Sequence, residues 1–351
     1  MMNRKPVIGI TMGDPAGGGP EITIKALSQK SLYDRSCPVV IGDAKVFRMM
    51  LDILREKDIL ANPDLVIHEV GSIEECAFTY GIIDVYHMDL IDMDAFSFGK
   101  VSKMCGNAAF ACVRKVISLA MSGKVDATVT NALNKEAINL AGHHFSGHTE
   151  IYAHDTGTRD YAMMLVHENL RVVHVSTHVS LREACDRAKK ERILSCIRMA
   201  DRECRKIGIE QPKVAVAGLN PHSGENGLFG REEIDEIIPA IRQALSEGIH
   251  AEGPVPPDTV FSKARGGIYD IVVAMYHDQG HIPLKLVGFV YDQKEKKWEA
   301  VKGVNVTLGL PIIRTSVDHG TAFDCAGQGV MNEISLLNAI DYAIQCAADR
   351  L

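Results

Sequence analysis

Seven short runs dominated by β-branched residues recur along the chain: VIGIT from Val7, PVVIG from Pro38, DLVIHEV from Asp64, VDATVT from Val125, RVVHVST from Arg171, KVAVAGL from Lys213 and DIVVAM from Asp270. A strand with one wet face alternates apolar and polar residues, whereas these runs are nearly all apolar. Strands of that kind are buried on both faces, as in parallel sheets covered by helices. Between the runs, Ala109, Cys112, Val113, Val116, Leu119 and Ala120 recur at helical spacing and stop at Gly123, a glycine placed to cap a helix. Amphipathic patterns over Arg182 to Lys206 and Arg231 to Leu245 predict further helices. The fold class is α/β. A chain of 351 residues is long enough for two domains.

One segment breaks this rhythm. LVGFVYDQKEKKWEAVKGV has apolar flanks around a charged tip at Lys294 to Lys297 and carries the only tryptophan, Trp298, so it predicts an antiparallel hairpin. A solvated excursion and a lid or interface arm are both open readings of it.

Charge excludes one large class of partner. Lys plus Arg number 38 against 45 for Asp plus Glu, with no basic block, which argues against nucleic acid. The start lacks the longer apolar segment of a signal peptide, and no window approaches the roughly 18 apolar residues of a membrane helix. The nine cysteines are odd in number and form no C-x-x-C pair. They are expected to be reduced core residues, and the protein cytoplasmic, with no membrane partner.

In an open α/β sheet, ligands bind beyond the carboxyl ends of the strands. The residues following the apolar runs are MGDPAGGGPEI, Asn131 and then FSGHTE, THVS, NPHSGENGLFG and YHDQGH. A single histidine at such a position is usually a core or capping residue. Three of them, His178, His222 and His277, each after a separate buried strand, point to a shared metal site. Neutral imidazoles suit zinc or another borderline divalent ion, and three protein ligands leave a position open for substrate. His281 stands four residues after His277, but Gly280 and Pro283 argue against a helix that would pair them, so His281 is expected to be a loop residue. The three glycines of NPHSGENGLFGRE allow close approach of a ligand, or serve an ordinary long turn. GDPAGGGPE matches no nucleotide fingerprint, and Pro20 with Glu21 reads as a helix start. A structural turn and an anion or substrate loop both remain open there, with Asp14 the residue to decide it. Lys285 and Arg314 place positive charge in apolar surroundings, which suits a doubly anionic small molecule or a structural ion pair.

Taken together, GDPAGGGPE, SGHTE, THVSLRE, GLNPHSGENGLFGRE, PDTVF, YHDQGHIPLK and GVNVTLGLPIIRTSVDHGTAFDCAG resemble the 4-hydroxythreonine-4-phosphate dehydrogenase family, in family order from about residue 9 to 327. The resemblance implies two α/β/α domains with a central cleft, in the manner of isocitrate and isopropylmalate dehydrogenases. Residues 1–130 plus 290–351 would form the cofactor side, with a dimer-arm hairpin near 286–304, and 131–289 the metal and substrate side. It also implies a homodimer with shared active sites, NAD as cofactor and a divalent metal, zinc foremost, with cobalt or magnesium as alternatives. His178, His222 and His277 match the metal ligands, one of them supplied by the partner subunit. His148, Thr149, Lys285, Asn305 and Arg314 match substrate contacts. His319, Gly320, Thr321, Ala322 and Asn332 match the stretch that holds the adenosine end of the cofactor, although Phe323 stands where the wider superfamily has proline. Lys285 and Asp258 are the candidate catalytic proton acceptors.

THVSLRE, YHDQGHIPLK and the long connection from Lys285 to Asn305 are most similar to the branch acting on D-threonate and D-erythronate 4-phosphates. Oxidation at C3 and decarboxylation would then give dihydroxyacetone phosphate and carbon dioxide. Dehydrogenation of 4-phosphooxy-L-threonine in pyridoxal phosphate biosynthesis is the alternative. An aromatic dihydrodiol substrate is disfavoured by Lys285 and Arg314. A metal-dependent aldolase or hydrolase without NAD, or a non-catalytic binding protein, would need the DHGTA segment to serve no cofactor.

Overall fold

The computed structural model of the chain describes residues 4–289, 291–293, 297–298 and 302–348. All seven apolar runs form strands, and weaker patterns supply the rest. In chain order the strands are β1 (Val7–Thr11), β2 (Cys37–Gly42), β3 (Val66–Val70), β4 (Ile82–His87), β5 (Ala127–Thr130), β6 (Ala162–His167), β7 (Leu170–His174), β8 (Val214–Ala217), β9 (Ala251–Val255), β10 (Ile271–Ala274), β11 (Tyr291–Asp292), β12 (Lys297–Trp298), β13 (Val304–Leu308) and β14 (Ile313–Val317). The α-helices are α1 (Gly19–Leu27), α2 (Lys30–Arg35), α3 (Ala44–Glu56), α4 (Lys103–Met121), α5 (Lys135–Leu140), α6 (His148–Thr156), α7 (Leu181–Arg187), α8 (Lys190–Lys206), α9 (Ile238–Ser246), α10 (Val260–Arg265), α11 (His277–Gly288) and α12 (Ile334–Ala348).

The chain divides into two units, one ending at Arg159 and resuming at Leu310, the other running Asp160–Gly309. In the first, the strand order is β3-β4-β2-β1-β5-β14 and every pair is parallel. Ile8, Ile10, Val39, Val40, Ile41, Ala127 and Val129 are fully buried, as their unbroken apolar runs require, each contributing about 1.5–3 kcal/mol if it is a large side chain. β3 is the edge strand, and only Val70 of it is buried. Ser102 caps α4 by accepting the Cys105 N–H, and Gly123, at φ +71°, closes it as its position predicts. By length and composition α4 could cross a membrane, but Cys112, Val113 and Val116 are fully buried in the first unit, as in a core helix. Because β1 has β2 on one side and β5 on the other, the crevice beyond their carboxyl ends is a topological switch point.

In the second unit the order is β13-β6-β7-β10-β8-β9. β7, β10, β8 and β9 are parallel, whereas β6 runs antiparallel to both β7 and β13. The sheet is therefore mixed, a feature that an apolar run such as RVVHVST cannot reveal, since burial on both faces looks alike in either sense. Leu165, Val172, Ala215, Ala217, Val272, Ala274 and Leu284 form its core.

Four expectations need correction. The first unit extends past residue 130 because α5 and α6 pack on α4, with Arg114 Nε bonded to Asp155 Oδ2 at 2.7 Å, and the second extends to Gly309 because β13 pairs with β6. The helix expected over Arg182 to Lys206 is broken at Ala188, which takes ψ 66° between α7 and α8. The pattern from Arg231 begins as a wide five-residue π turn over Glu233–Ile237, just ahead of Pro239, whose ring nitrogen cannot donate to the helix. The fourth concerns His281, which lies not in a loop but inside α11, a helix that starts at His277 and contains both Gly280 and Pro283. Packing overrides the local breakers there: Gln279, Gly280, His281 and Leu284 are buried, and Gln279 accepts the Met275 N–H at 2.6 Å while donating to Gly218 O at 2.7 Å. The expected hairpin is present as a short pair, Tyr291 opposite Trp298 and Asp292 opposite Lys297, but Leu286 to Gly288, expected in its first arm, belong to α11, and its tip at 294–296 lies outside the described residues.

Candidate active site

β7, β10 and β8 are neighbours in the second unit, and the histidines that follow them share one sheet edge. The His178 and His277 ring centroids are 5.8 Å apart. Two imidazoles on one tetrahedral ion stand about 5 Å apart by the same measure, so this pair fits a shared metal. His277 Nδ1 lies 2.6 Å from Asp278 Oδ1, which leaves Nε2 for another partner, the arrangement that orients metal-ligating histidines.

His222 sits in a left-handed turn. Residues His222 to Asn226 all have positive φ, and four of them carry side chains, an arrangement costing about 1 kcal/mol or more per residue. Buried Glu233 holds the approach to this turn: its Oε1 accepts the Leu219 and Asn220 N–H groups at 2.8 Å each, and its Oε2 accepts Asn220 Nδ2 at 2.9 Å. His222 itself is exposed and does not join the other two. Among the described residues, no three His, Cys, Asp or Glu side chains converge on a metal position.

With α11 helical, His281 lies one turn after His277 on the same face. Its ring stacks on that of His277 at 3.6 Å and 12°, and its Nδ1 lies 3.0 Å from His277 O. Behind it, the fully buried ring of His174, at the end of β7, is 4.6 Å away. Burial pushes the pKa of His281 down to about 4 and that of His174 to about 3, so both are neutral supports for the His277 ring. Lys285, one further turn along, sets its Nζ 5.2 Å over the Phe289 ring. On β13, the Asn305 amide nitrogen meets Met163 Sδ at 3.1 Å, while its Oδ1 is enclosed without a hydrogen-bond partner. Asp258 lies exposed in the turn between β9 and α10.

The first unit holds the other polar group. Arg314, the second residue of β14, is 3 % exposed. Its Nη2 donates to Thr130 Oγ1 at 2.9 Å, and its guanidinium lies 5.7 Å over the ring of fully buried Tyr152, whose hydroxyl donates to Thr128 Oγ1 at 2.9 Å. Burial lowers the Arg314 pKa to about 10, leaving the group charged at neutral pH. His148 begins α6, with Thr149 next to it. Burial first, and the Arg314 charge second, hold His148 well below the usual histidine range, and its Nε2 is enclosed without a hydrogen-bond partner. A buried guanidinium beside a neutral imidazole with an open ring nitrogen is equipped to take an anion.

Beyond β14, His319 Nδ1 meets Gly320 O at 2.8 Å and its Nε2 is enclosed without a partner, Ala322 turns through φ +51°, and Asn332 Oδ1 caps α12 by accepting the Ile334 N–H at 2.8 Å. Asp14 lies at the switch point. Its Oδ1 accepts the Ala16 N–H at 3.0 Å, its Oδ2 is buried without a partner, and burial pushes its pKa up to about 6. Tyr152, His174, Glu233 and Gln279 are the site supports that sequence reasoning misses. A buried polar type inside an apolar stretch was the one available signal, and it does not name a partner.

The chain is similar to known proteins over nearly its whole length. The family described as pyridoxal phosphate biosynthetic protein PdxA matches residues 34–343. The D-threonate 4-phosphate dehydrogenase of Salmonella typhimurium is 47% identical over 340 residues, covering 97% of this chain and 98% of that protein. The D-threonate 4-phosphate dehydrogenase of Pectobacterium atrosepticum is 46% identical over 341 residues, covering 97% and 99%. The crystal structure of a 4-hydroxythreonine-4-phosphate dehydrogenase from Klebsiella pneumoniae superposes with a TM-score of 0.84 at 45% identity, covering 98% of this chain and 100% of that one. The fold is thus α/β of the isocitrate and isopropylmalate dehydrogenase type, and the chain belongs to the PdxA family, as an oxidoreductase acting on a CH–OH group.

Proposed function

We propose that this protein oxidises C3 of a four-carbon 4-phosphorylated acid with NAD and releases its carboxylate as carbon dioxide. The substrate is 4-phospho-D-threonate or 4-phospho-D-erythronate, and the product dihydroxyacetone phosphate. The observation that carries this reading is the buried Arg314 guanidinium beside the open Nε2 of His148, an anion site in a chain closely similar to proteins named D-threonate 4-phosphate dehydrogenase.

His178, His222 and His277 would hold the divalent ion, one of them coming from a second copy in a homodimer. The separation of His222 from the other two within one chain supports that division, as does the exposed apolar pair Ile282 and Leu286 on α11. When bound, the ion supplies Lewis acidity at the C3 oxygen and NAD accepts the C3 hydride. Arg314, His148, Thr149 and Asn305 orient the phosphate and carboxylate. Lys285 is one turn from the stacked histidines and is the better candidate to take the hydroxyl proton; Asp258 is the other. His319, Gly320, Thr321, Ala322 and Asn332 would receive the adenosine end of NAD.

The competing substrate, 4-phosphooxy-L-threonine, carries an amine at C2 instead of a hydroxyl, and the name of the Klebsiella structure keeps it in view. The test supplies NAD, a divalent metal and each acid separately, following NADH and the keto product. NADH with the threonate or erythronate phosphate supports the proposal, whereas turnover of the amino acid alone refutes it. An aldolase or hydrolase would turn over substrate without any NADH.

A further inference from the structure

The segment between β14 and α12 is tied at both ends to the glycine-rich N-terminal motif. Near its start, Thr321 O accepts the Gly18 N–H at 2.9 Å, and Gly17 lies so close that a Cβ there would stand 2.7 Å from the same oxygen. Near its end the tie is ionic. Glu21, in the first turn of α1 and 0% exposed, accepts the Gly329 N–H at 3.0 Å through Oε2 and the Met331 N–H at 2.7 Å through Oε1. One turn on, Lys25 Nζ donates to Glu21 Oε1 at 2.8 Å, to Gly329 O at 3.0 Å and to Met331 O at 2.6 Å. A single ion pair thus satisfies two N–H and two C=O groups of one short stretch, and Asn332 follows directly. Desolvating such a pair is costly, and among the described residues its bonds outside α1 all go to the backbone of Gly329 and Met331, which fixes the path of that stretch.

We infer that Glu21 and Lys25 are positioning residues for dinucleotide binding. They clamp Gly329 and Met331, and so set how the adjoining Asn332 is presented to the adenosine end of the cofactor, while the Gly18 N–H holds Thr321 of the His319–Ala322 stretch. The N-terminal motif then acts on cofactor affinity without touching the cofactor. This inference rests on the proposed cofactor role of His319 to Ala322 and Asn332.

The test uses the full-length protein with Glu21→Gln, Lys25→Met and the conservative Lys25→Arg, alongside Asn332→Ala and His319→Ala. NAD binding is measured by calorimetry without substrate, steady-state kinetics with substrate, and folding by circular dichroism. The expected result is a rise in KM and Kd for NAD of about tenfold in E21Q and K25M, partial rescue in K25R, and kcat and the substrate KM within about twofold of wild type. If E21Q does not fold, K25M with K25R carries the decision. Folded variants that bind NAD as wild type does, while N332A and H319A lose affinity, overturn the clamp alone. If N332A and H319A also bind NAD normally, the cofactor assignment fails and the clamp with it.

Discussion

Arg314 and Asp14 are both buried ionisable groups in the first unit, and burial drives each toward neutrality. Arg314 stays charged because a guanidinium has far to fall, and it keeps Thr130 and the Tyr152 ring as partners. Lysine lacks the planar fork, so Arg314→Lys should raise the KM for the phosphorylated acid by about 10- to 100-fold, the loss of one charge-assisted contact, as steady-state kinetics will show. Asp14 responds differently. Its folded pKa of about 6 lies above the ordinary 3.8, so the stability linked to its proton is fully present below about pH 4 and is lost as pH rises through 6. Denaturant unfolding of wild type and Asp14→Asn across that window should show the difference shifting toward the variant by about 3 kcal/mol, with no further change above pH 7. A constant difference would mean that Asp14 titrates alike in the folded and unfolded chains, with no shift from burial. Arg314 was legible as a charge inside an apolar run. Tyr152, Glu21 and Glu233 were not, because the roles of each depend on partners that only the tertiary fold brings within reach.

At the scale of elements, α11 is where sequence signals and structure part most clearly. Glycine and proline marked a loop, yet burial of one face and the Gln279 bridge from Met275 to Gly218 hold a helix together across both. Gly280 is required by contact and not by conformation: a Cβ there would stand 2.3 Å from His174 Nε2 and 2.7 Å from Val172 Cγ1. Gly280→Ala should therefore destabilise the protein by about 1–3 kcal/mol in denaturant melts and weaken retention of a bound divalent ion in chelator competition, since the displaced rings are those stacked behind His277. Unchanged metal retention would detach the His174 and His281 stack from any role in the metal site. The strands with unbroken apolar runs were legible one by one. Their order, and the reversed sense of β6, were not, because period and burial carry no information about neighbours.

For the whole molecule, the division into two α/β units was legible from length and rhythm, while the cuts at Arg159 and Gly309 depend on how α5, α6 and β13 pack. If the metal ligands come from two copies, His178→Ala and His222→Ala should each be inactive alone. Refolding them together as a mixture should restore about a quarter of wild-type activity, since half of the dimers are mixed and each has one intact site. No recovery would place all three ligands within one chain. The most direct test of the proposed reaction is NADH formation from 4-phospho-D-threonate or 4-phospho-D-erythronate, measured before and after metal removal. The predicted result is stoichiometric NADH and carbon dioxide, abolished by chelator and restored by a divalent ion. NADH from 4-phosphooxy-L-threonine alone, or turnover indifferent to chelator, would contradict it.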